Sequence, residues 1–302
     1  MTTKVYDTHY SQKKSLGMSQ LSAEIILILI VMARNSSYLL MKLGIGNIAP
    51  VSLIAFRFLA AFFICAVLFP KKTFSVNRET LISGIAIGIL MFFILYLQII
   101  GLKDVSSSDA GFLASTTVIF VPAIQAIRSR KLPEAKQCLC ICVTMIGIGL
   151  LTITSGFSIS RGGLFYVIGA LIYAVHIIMT ERFSKEVDLF SAGIIELFVT
   201  GILSLFVSLL TEDFVIPQRS SDWVIILSLA VLCSIVGLAI QPQFQQYTTS
   251  ERYGLFCGMG PVFSCILGVV FLHEQFGIRE AAGSVLILGA VFWSTFCRQR
   301  NS

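Results

Sequence analysis

Ten stretches of this chain are apolar around most of their circumference, and the polar residues gather between them. The runs cover about 21–43, 50–70, 80–100, 109–127, 137–155, 162–181, 189–210, 223–245, 253–272 and 281–297. Each is near the length of about 20 residues that lets a helix cross a hydrocarbon core about 30 Å thick. A helix apolar on every side belongs in lipid, where its backbone groups are satisfied internally. Brief turns separate the runs, among them Gly46-Asn47-Ile48-Ala49-Pro50, Ser155-Gly156 and Arg161-Gly162-Gly163. The pattern predicts an all-α integral membrane fold of ten transmembrane helices. Residues 1–20 are polar, with Lys4, Lys13 and Lys14, and read as a tail. No small-residue cleavage site follows a short apolar core there, which argues against a signal peptide.

Composition agrees. Of 302 residues, 56% are hydrophobic and only 13% charged, against about 25% charged in an ordinary globular domain. That excludes a soluble enzyme, a nucleic-acid binder and a secreted disulfide scaffold. The net charge of +6 therefore bears on orientation in a membrane, not on nucleic acid. The eight cysteines fall inside or at the ends of apolar runs and read as small buried hydrophobes. Cys138, Cys140 and Cys142 are two apart, so on a helix they diverge and cannot share a metal.

The halves repeat. Arg34 and Tyr173 are 139 positions apart, as are Arg57 and Glu196; Gln98 and Gln241 are 143 apart, as are Gly111 and Gly254. The offset grows by four where the 13-residue loop 210–222 replaces the 9-residue loop 71–79. Five helices is an odd number, so the second copy must enter the membrane upside down. Charge agrees: with both termini inside, 15 Lys/Arg are cytoplasmic and 4 are outside (Lys103, Arg161, Arg219, Arg279). Inverted repeats are a recurring plan of secondary transporters, with the site near the midplane between the copies. The predicted organisation is a cytoplasmic tail 1–20, a first repeat 21–155 and a second repeat 162–297.

Ser106-Ser107-Ser108-Asp109-Ala110-Gly111-Phe112-Leu113, running on to Val118-Ile119-Phe120-Val121-Pro122, resembles the helix 4 signature of the EamA-type drug/metabolite transporters. Tyr247-Thr248-Thr249-Ser250 to Gly260-Pro261-Val262-Phe263, then Leu272-His273-Glu274, resembles the same signature in a second copy. The run from Arg34-Asn35-Ser36-Ser37-Tyr38 to Lys42 is similar to the first-helix motif, with Arg34 where an aromatic is usual. The resemblance implies two tandem EamA-like repeats and an inner-membrane carrier of small metabolites.

Ionisable groups deep in a bilayer cost from about 2.5 to above 10 kcal/mol and mark functional sites or paired networks. Arg34, Arg57 and Glu196 are the deep candidates, with Glu196 read as the sole deep acid and within reach of Arg34. Arg57 is then the cation left to meet a substrate carboxylate. Gln98, Gln241, Tyr173 and His176 fall at similar depth and complete the candidate substrate-binding set. Glu196 or His176 is the candidate proton carrier. Glu24 and Lys42 are expected to snorkel from helix ends. Gly111, Gly254 and Gly258 at small-xxx-small spacing are expected to pack helices 4 and 9 closely, and Gly84 and Gly88 form the same spacing in helix 3. Pro122 and Pro261 are expected to bend helices 4 and 9.

Enzyme motifs are absent: His273-Glu274 lacks the second histidine of a zincin helix, and no P-loop occurs. The expectation is a transporter, not an enzyme, with no cofactor and no metal. Its partners are the lipid bilayer, a small-molecule substrate such as an amino acid or other carboxylate-bearing solute, and protons. Nothing in the pattern specifies an oligomeric state. A polytopic enzyme acting on lipids is the alternative.

Overall fold

The computed structural model describes residues 18–44, 48–101, 104–105, 112–130, 133–152, 161–184, 187–272 and 277–296. Every regular element among them is helical. In order they are α1 (Gln20–Gly44), α2 (Pro50–Leu68), the short α3 (Pro70–Phe74), α4 (Arg78–Gly101), α5 (Thr117–Ser129) and α6 (Ala135–Thr152). Then come α7 (Arg161–Phe183), α8 (Leu189–Thr211), α9 (Ser220–Gln245), α10 (Ser250–Cys257), α11 (Gly260–Leu272) and α12 (Ile278–Phe296). Proline opens α2 and α3, where its missing N–H costs nothing.

Among the described residues, 7 helices are long and apolar enough to cross a membrane: Gln20–Ser37, Pro50–Leu68, Arg78–Gly101, Phe112–Ser129, Arg161–Phe183, Leu189–Thr211 and Ser220–Gln245. Ala135–Leu151 is a shorter apolar helix. Phe63, Val67, Leu68, Phe206, Leu209 and Leu210 lie exposed on the outer surface, as side chains facing lipid must.

Helix 9 of the sequence reading is not continuous. It breaks into α10 and α11 at Gly258–Met259, so Pro261 stands in the first turn of α11 instead of bending a helix interior. The break has a counterpart ahead of α5. Thr116 N–H donates to Leu113 O, and the amides of Ile119 and Phe120 donate to Thr116 O. Met259 N–H donates to Phe256 O, and the amides of Val262 and Phe263 donate to Met259 O. Each of these bonds is displaced by the same 143 positions, so the break belongs to the repeated unit. Pro122 lies buried inside α5. α9 departs from ordinary geometry as well: Leu229–Ile240 winds as a π-helix.

The interior divides into two packed clusters. One joins α1, α5, α6, α7, α10, α11 and α12 through Leu27, Val31, Val121, Ile177, Tyr253 and Phe256. The other joins α2, α4, α8 and α9 through Ile54, Phe58, Met91, Ile194, Leu197 and Leu238. Tyr173 packs against both. Backbones approach closely where glycine permits. A Cβ on Gly84 would fall 2.6 Å from Ile195 Cβ, and one on Gly88 would fall 3.2 Å from Glu196 Cα, so α4 lies tight against α8. On the other side, a Cβ on Gly254 would fall 3.2 Å from Val121, and one on Gly258 would fall 3.0 Å from Val118, both side chains of α5. Gly111 lies outside the described residues.

The pairings of the helices come in matched sets. α2 packs on α8, α5 on α10, and α6 on α12. α4 packs on α7 and on α8, while α9 packs on α1 and on α2. The α2–α8 pair is tied at both ends. Glu212 accepts from the amides of Val51 and Ser52, each at 2.9 Å, capping the start of α2. At the opposite end Lys72 Nζ lies 2.6 Å from Asp188 Oδ2, and Ser191 Oγ donates to the same oxygen at 2.8 Å. Partial burial alone would raise the Asp188 carboxyl. The hydrogen bonds from Lys72 and Ser191, with the lysine charge, outweigh that and hold it below its usual range.

Two of the cysteines correct the expectation of uniform burial. Cys138 and Cys142 are exposed, four apart on one face of α6, while Cys140 points inward.

Candidate functional site

α1 and α7 meet at the boundary between the two packed clusters. Arg34, in the middle of α1, donates to the phenol oxygen of Tyr173 on α7, and its guanidinium carbon sits 5.0 Å from the centroid of that ring. Hydrogen bond and cation–π contact use the same neutral residue. Room for the arginine stem comes from Gly237 of the π segment, where a Cβ would fall 3.1 Å from Arg34 Cδ.

Arg57 reaches the same segment from α2. Its Nε donates to Ser234 Oγ at 2.8 Å, and the side chain is buried. Ser234 and Gly237 are three positions apart, so the two arginines approach one region of α9 from two helices. The Ser234 hydroxyl is neutral, so it gives Arg57 a hydrogen-bond partner without neutralising its charge.

Glu196 of α8 is fully buried and does not pair with Arg34. Its Oε1 lies 2.8 Å from His176 Nε2, and the imidazole is itself buried. Oε2 has no hydrogen-bond partner. His176 is one turn beyond Tyr173 on α7, and the two rings stack with centroids 5.9 Å apart. A continuous path of side chains thus runs from Arg34 through Tyr173 and His176 to Glu196. A carboxylate and an imidazole at hydrogen-bond distance can share and release a proton.

The glutamines divide. Gln98 is half-buried on α4, 3.8 Å from the position of a Cβ on Gly169. Gln241 is buried and donates to Gln245, whose own amide donates to Ile177 O at 3.0 Å. Gln241 therefore braces α9 against α7 with a neighbour that sequence reasoning overlooked. Asn35 turns its amide to Val31 O at 2.7 Å, with its oxygen in the space beside Gly260. Cys257 is half-buried with its sulfur 3.8 Å from the Tyr173 hydroxyl.

Glu24 is the second correction to the reading of buried charge. It does not snorkel: it is fully buried and ion-paired to Arg252 of α10. Thr248 Oγ1 donates to it at 2.9 Å and Gln20 Nε2 at 2.8 Å. Glu196 is therefore not the sole buried acid. Glu24 does stand near the start of α1, but α10 covers it there. The signal available was charge complementarity between Glu24 and Arg252 at segment ends on one side of the membrane. The Lys42 side chain lies outside the described residues. Among the described residues no three metal-binding side chains come together.

The EamA-like transporter family matches in two tandem stretches, residues 21–153 and 160–296. An uncharacterized transporter of Archaeoglobus fulgidus is 25% identical over 278 residues, spanning 91% of this chain and 86% of that one. The uncharacterized transporter YcxC of Bacillus subtilis is 23% identical over 283 residues, spanning 88% of this chain and 90% of that one. A solved crystal structure of a protein 20% identical in sequence superposes with a TM-score of 0.78 over 93% of this chain and 99% of that chain, a likeness of fold. Two copies of one family unit on a chain of apolar helices make this a multi-pass membrane transporter, and the chain belongs to the EamA-like transporter family.

Proposed function

We propose that the chain is a secondary exporter of small carboxylate-bearing metabolites, such as amino acids and their relatives. It works by alternating access between two inverted five-helix repeats, 21–155 and 162–297. It sits in the cell (inner or plasma) membrane with both termini cytoplasmic. The observation that carries the substrate class is Arg34. Among the described residues it meets a neutral phenol and no carboxylate, because Glu196 is taken by His176 and Glu24 by Arg252. An intramembrane cation without a protein carboxylate fits an anionic ligand that supplies the missing charge. Arg57 adds a second positive charge toward the same stretch of α9, and Gln98 offers a neutral amide. The His176–Glu196 pair is the proton carrier in this reading.

An internal two-fold between the halves is supported by the matched packing. Exchanging α1 with α7, α2 with α8, α4 with α9, α5 with α10 and α11, and α6 with α12 turns every principal pairing into another that is present. The loop charges, 15 inside against 4 outside, support the orientation.

The test begins with an untargeted comparison of metabolites exported by cells with and without the chain, which names the substrate. Purified protein in vesicles is then assayed for that solute as wild type, Arg34→Leu and Arg57→Leu, each checked for normal abundance. Transport of a carboxylate that falls at least about tenfold in both variants, as loss of a charged hydrogen bond predicts, supports the reading. Undiminished transport in both, or a substrate that is always cationic, overturns it.

A further inference from the structure

The five-residue segment Thr248–Arg252 runs from the turn after α9 into the first turn of α10, and it holds three other helices at once. Thr248 Oγ1 and Arg252 both donate to Glu24 on α1. Ser250 donates through its amide, at 3.1 Å, and through its hydroxyl to Glu181 on α7. Arg252 also reaches Ser294 O on α12 at 2.7 Å. Thr249 caps α10, its hydroxyl accepting from Arg252 N–H. Ser250 and Thr248 are buried, as are Arg252 and Glu24.

α1 and α7 are the helices that carry Arg34 and Tyr173. Glu24 is ten residues before Arg34, about 15 Å along α1, and Glu181 is eight residues after Tyr173, about 12 Å along α7. The knot therefore lies beneath the Arg34–Tyr173 contact on one side of the membrane. Gln245, just ahead of the segment, adds a bond to Ile177 O of α7 at 3.0 Å. A route that passes between α1 and α7 has to part these bonds to open on that side.

Buried charge makes such a contact all-or-none. A paired buried carboxylate is tolerable, whereas one stripped of its partner is costly. Water entering as the helices part would solvate Glu24 and Arg252 and give the open state its own satisfied arrangement. The Glu24 Oε2 atom, which has no hydrogen-bond partner here, is ready to take that water. We propose that Thr248–Arg252 is the latch of the cytoplasmic gate, with Glu24 and Glu181 as its two catches. The inference rests on the transporter reading and its orientation, but not on the substrate.

The test uses full-length protein in which native Cys257, half-buried beside Tyr173, is the remaining thiol. A membrane-impermeant maleimide is applied separately to each face, in right-side-out and inside-out vesicles. Glu24→Gln, and separately Thr248→Ala with Ser250→Ala, should speed labelling from the cytoplasmic face about tenfold, equivalent to about 1.4 kcal/mol. Labelling from the outer face should not rise. The reversed pair Glu24→Arg with Arg252→Glu should return the slow rate, which distinguishes a latch from damaged folding. Unchanged labelling in the alanine variant, an equal rise from both faces, or a rise from the outer face alone overturns the latch. Because no substrate is needed, a wrong substrate class leaves this result readable.

Discussion

Positions 34 and 173 stand in the same register of the two halves, as do 57 and 196. The first half places two arginines there, and the second a tyrosine and a glutamate. Backbone features at matching positions remained alike. The Thr116 and Met259 breaks carry the same hydrogen bonds 143 residues apart, although the side chains around them differ. At this break the backbone is repeated while the polarity around it is not. The halves have therefore diverged in charge, so that a cation from the first half faces a phenol from the second. The eighth segment diverged further: α4 is a regular α-helix, whereas α9 winds as a π-helix over Leu229–Ile240. That segment offers Ser234 to Arg57 and Gly237 to Arg34. π turns are rare and often mark functional sites.

The comparison breaks most forcefully where the halves exchange full charges. Glu24→Ala leaves Arg252 buried without its carboxylate, and the loss of stability should be about 3–5 kcal/mol. Thermal unfolding in detergent measures it. Glu24→Met combined with Arg252→Met, which removes both charges, should recover most of that loss. A single mutant as stable as wild type would show that the pair adds nothing.

Glu196→Gln comes next. Glutamine keeps the shape and a hydrogen bond to His176 but cannot give up a proton, so stability should change little. Transport should fall about tenfold or more, because the pair can no longer carry a proton through the cycle. Its dependence on external pH should flatten. A variant with the wild-type pH profile would remove the proton role and leave Glu196 as packing.

Most of the helices, and their repeat, were legible in the sequence because lipid imposes a coarse code: apolar length for spans, basic residues for loops. Partnering was not legible. Opposite charges at similar depth pair Arg34 with Glu196 on paper, but His176 reaches across from α7 and takes the carboxylate. Depth is one coordinate, whereas azimuth around each helix decides which side chains meet. The π segment was hidden for a related reason. Its residues, Leu-Ala-Val-Leu-Cys-Ser-Ile-Val-Gly-Leu-Ala-Ile, satisfy any apolar helix, and only its neighbours select the wider turn. Glu24 shows a third limit, since a helix end counts as exposed until another helix covers it.

Glycines sharpen the geometric half of the comparison. Gly84→Ala would bring a methyl within 2.6 Å of Ile195 Cβ and 2.8 Å of Ala192 O, so α4 and α8 must separate. Overpacking of this kind costs about 1–3 kcal/mol. Gly169→Ala meets its first neighbour, Ile94 O, only at 3.7 Å and should be tolerated. Equal stability losses at the two positions, measured by thermal unfolding, would undo the claim that close approach is confined to particular crossings.

The smallest effect is expected at the exposed tie between Lys72 and Asp188, which contrasts with the buried pair at Glu24. The side chains are 55% and 38% exposed, so solvent screens their attraction. Lys72→Ala should therefore cost between zero and about 1 kcal/mol. The pH dependence has a definite sign. Lys72 and Ser191 hold the Asp188 carboxyl below its usual range, against the opposing pull of partial burial. A carboxyl depressed in the folded state adds stability in full above its unfolded value, about 3.9. That contribution fades as pH falls through the folded value, where native Asp188 takes up its proton. Wild type and Lys72→Ala should thus differ slightly in unfolding temperature at neutral pH and converge on acidification below about pH 4. High salt should narrow the neutral gap as well, because a screened surface pair weakens with ionic strength. A gap that widens in acid would give the tie the wrong sign, and one that ignores salt would mean that Lys72 acts through its alkyl stem.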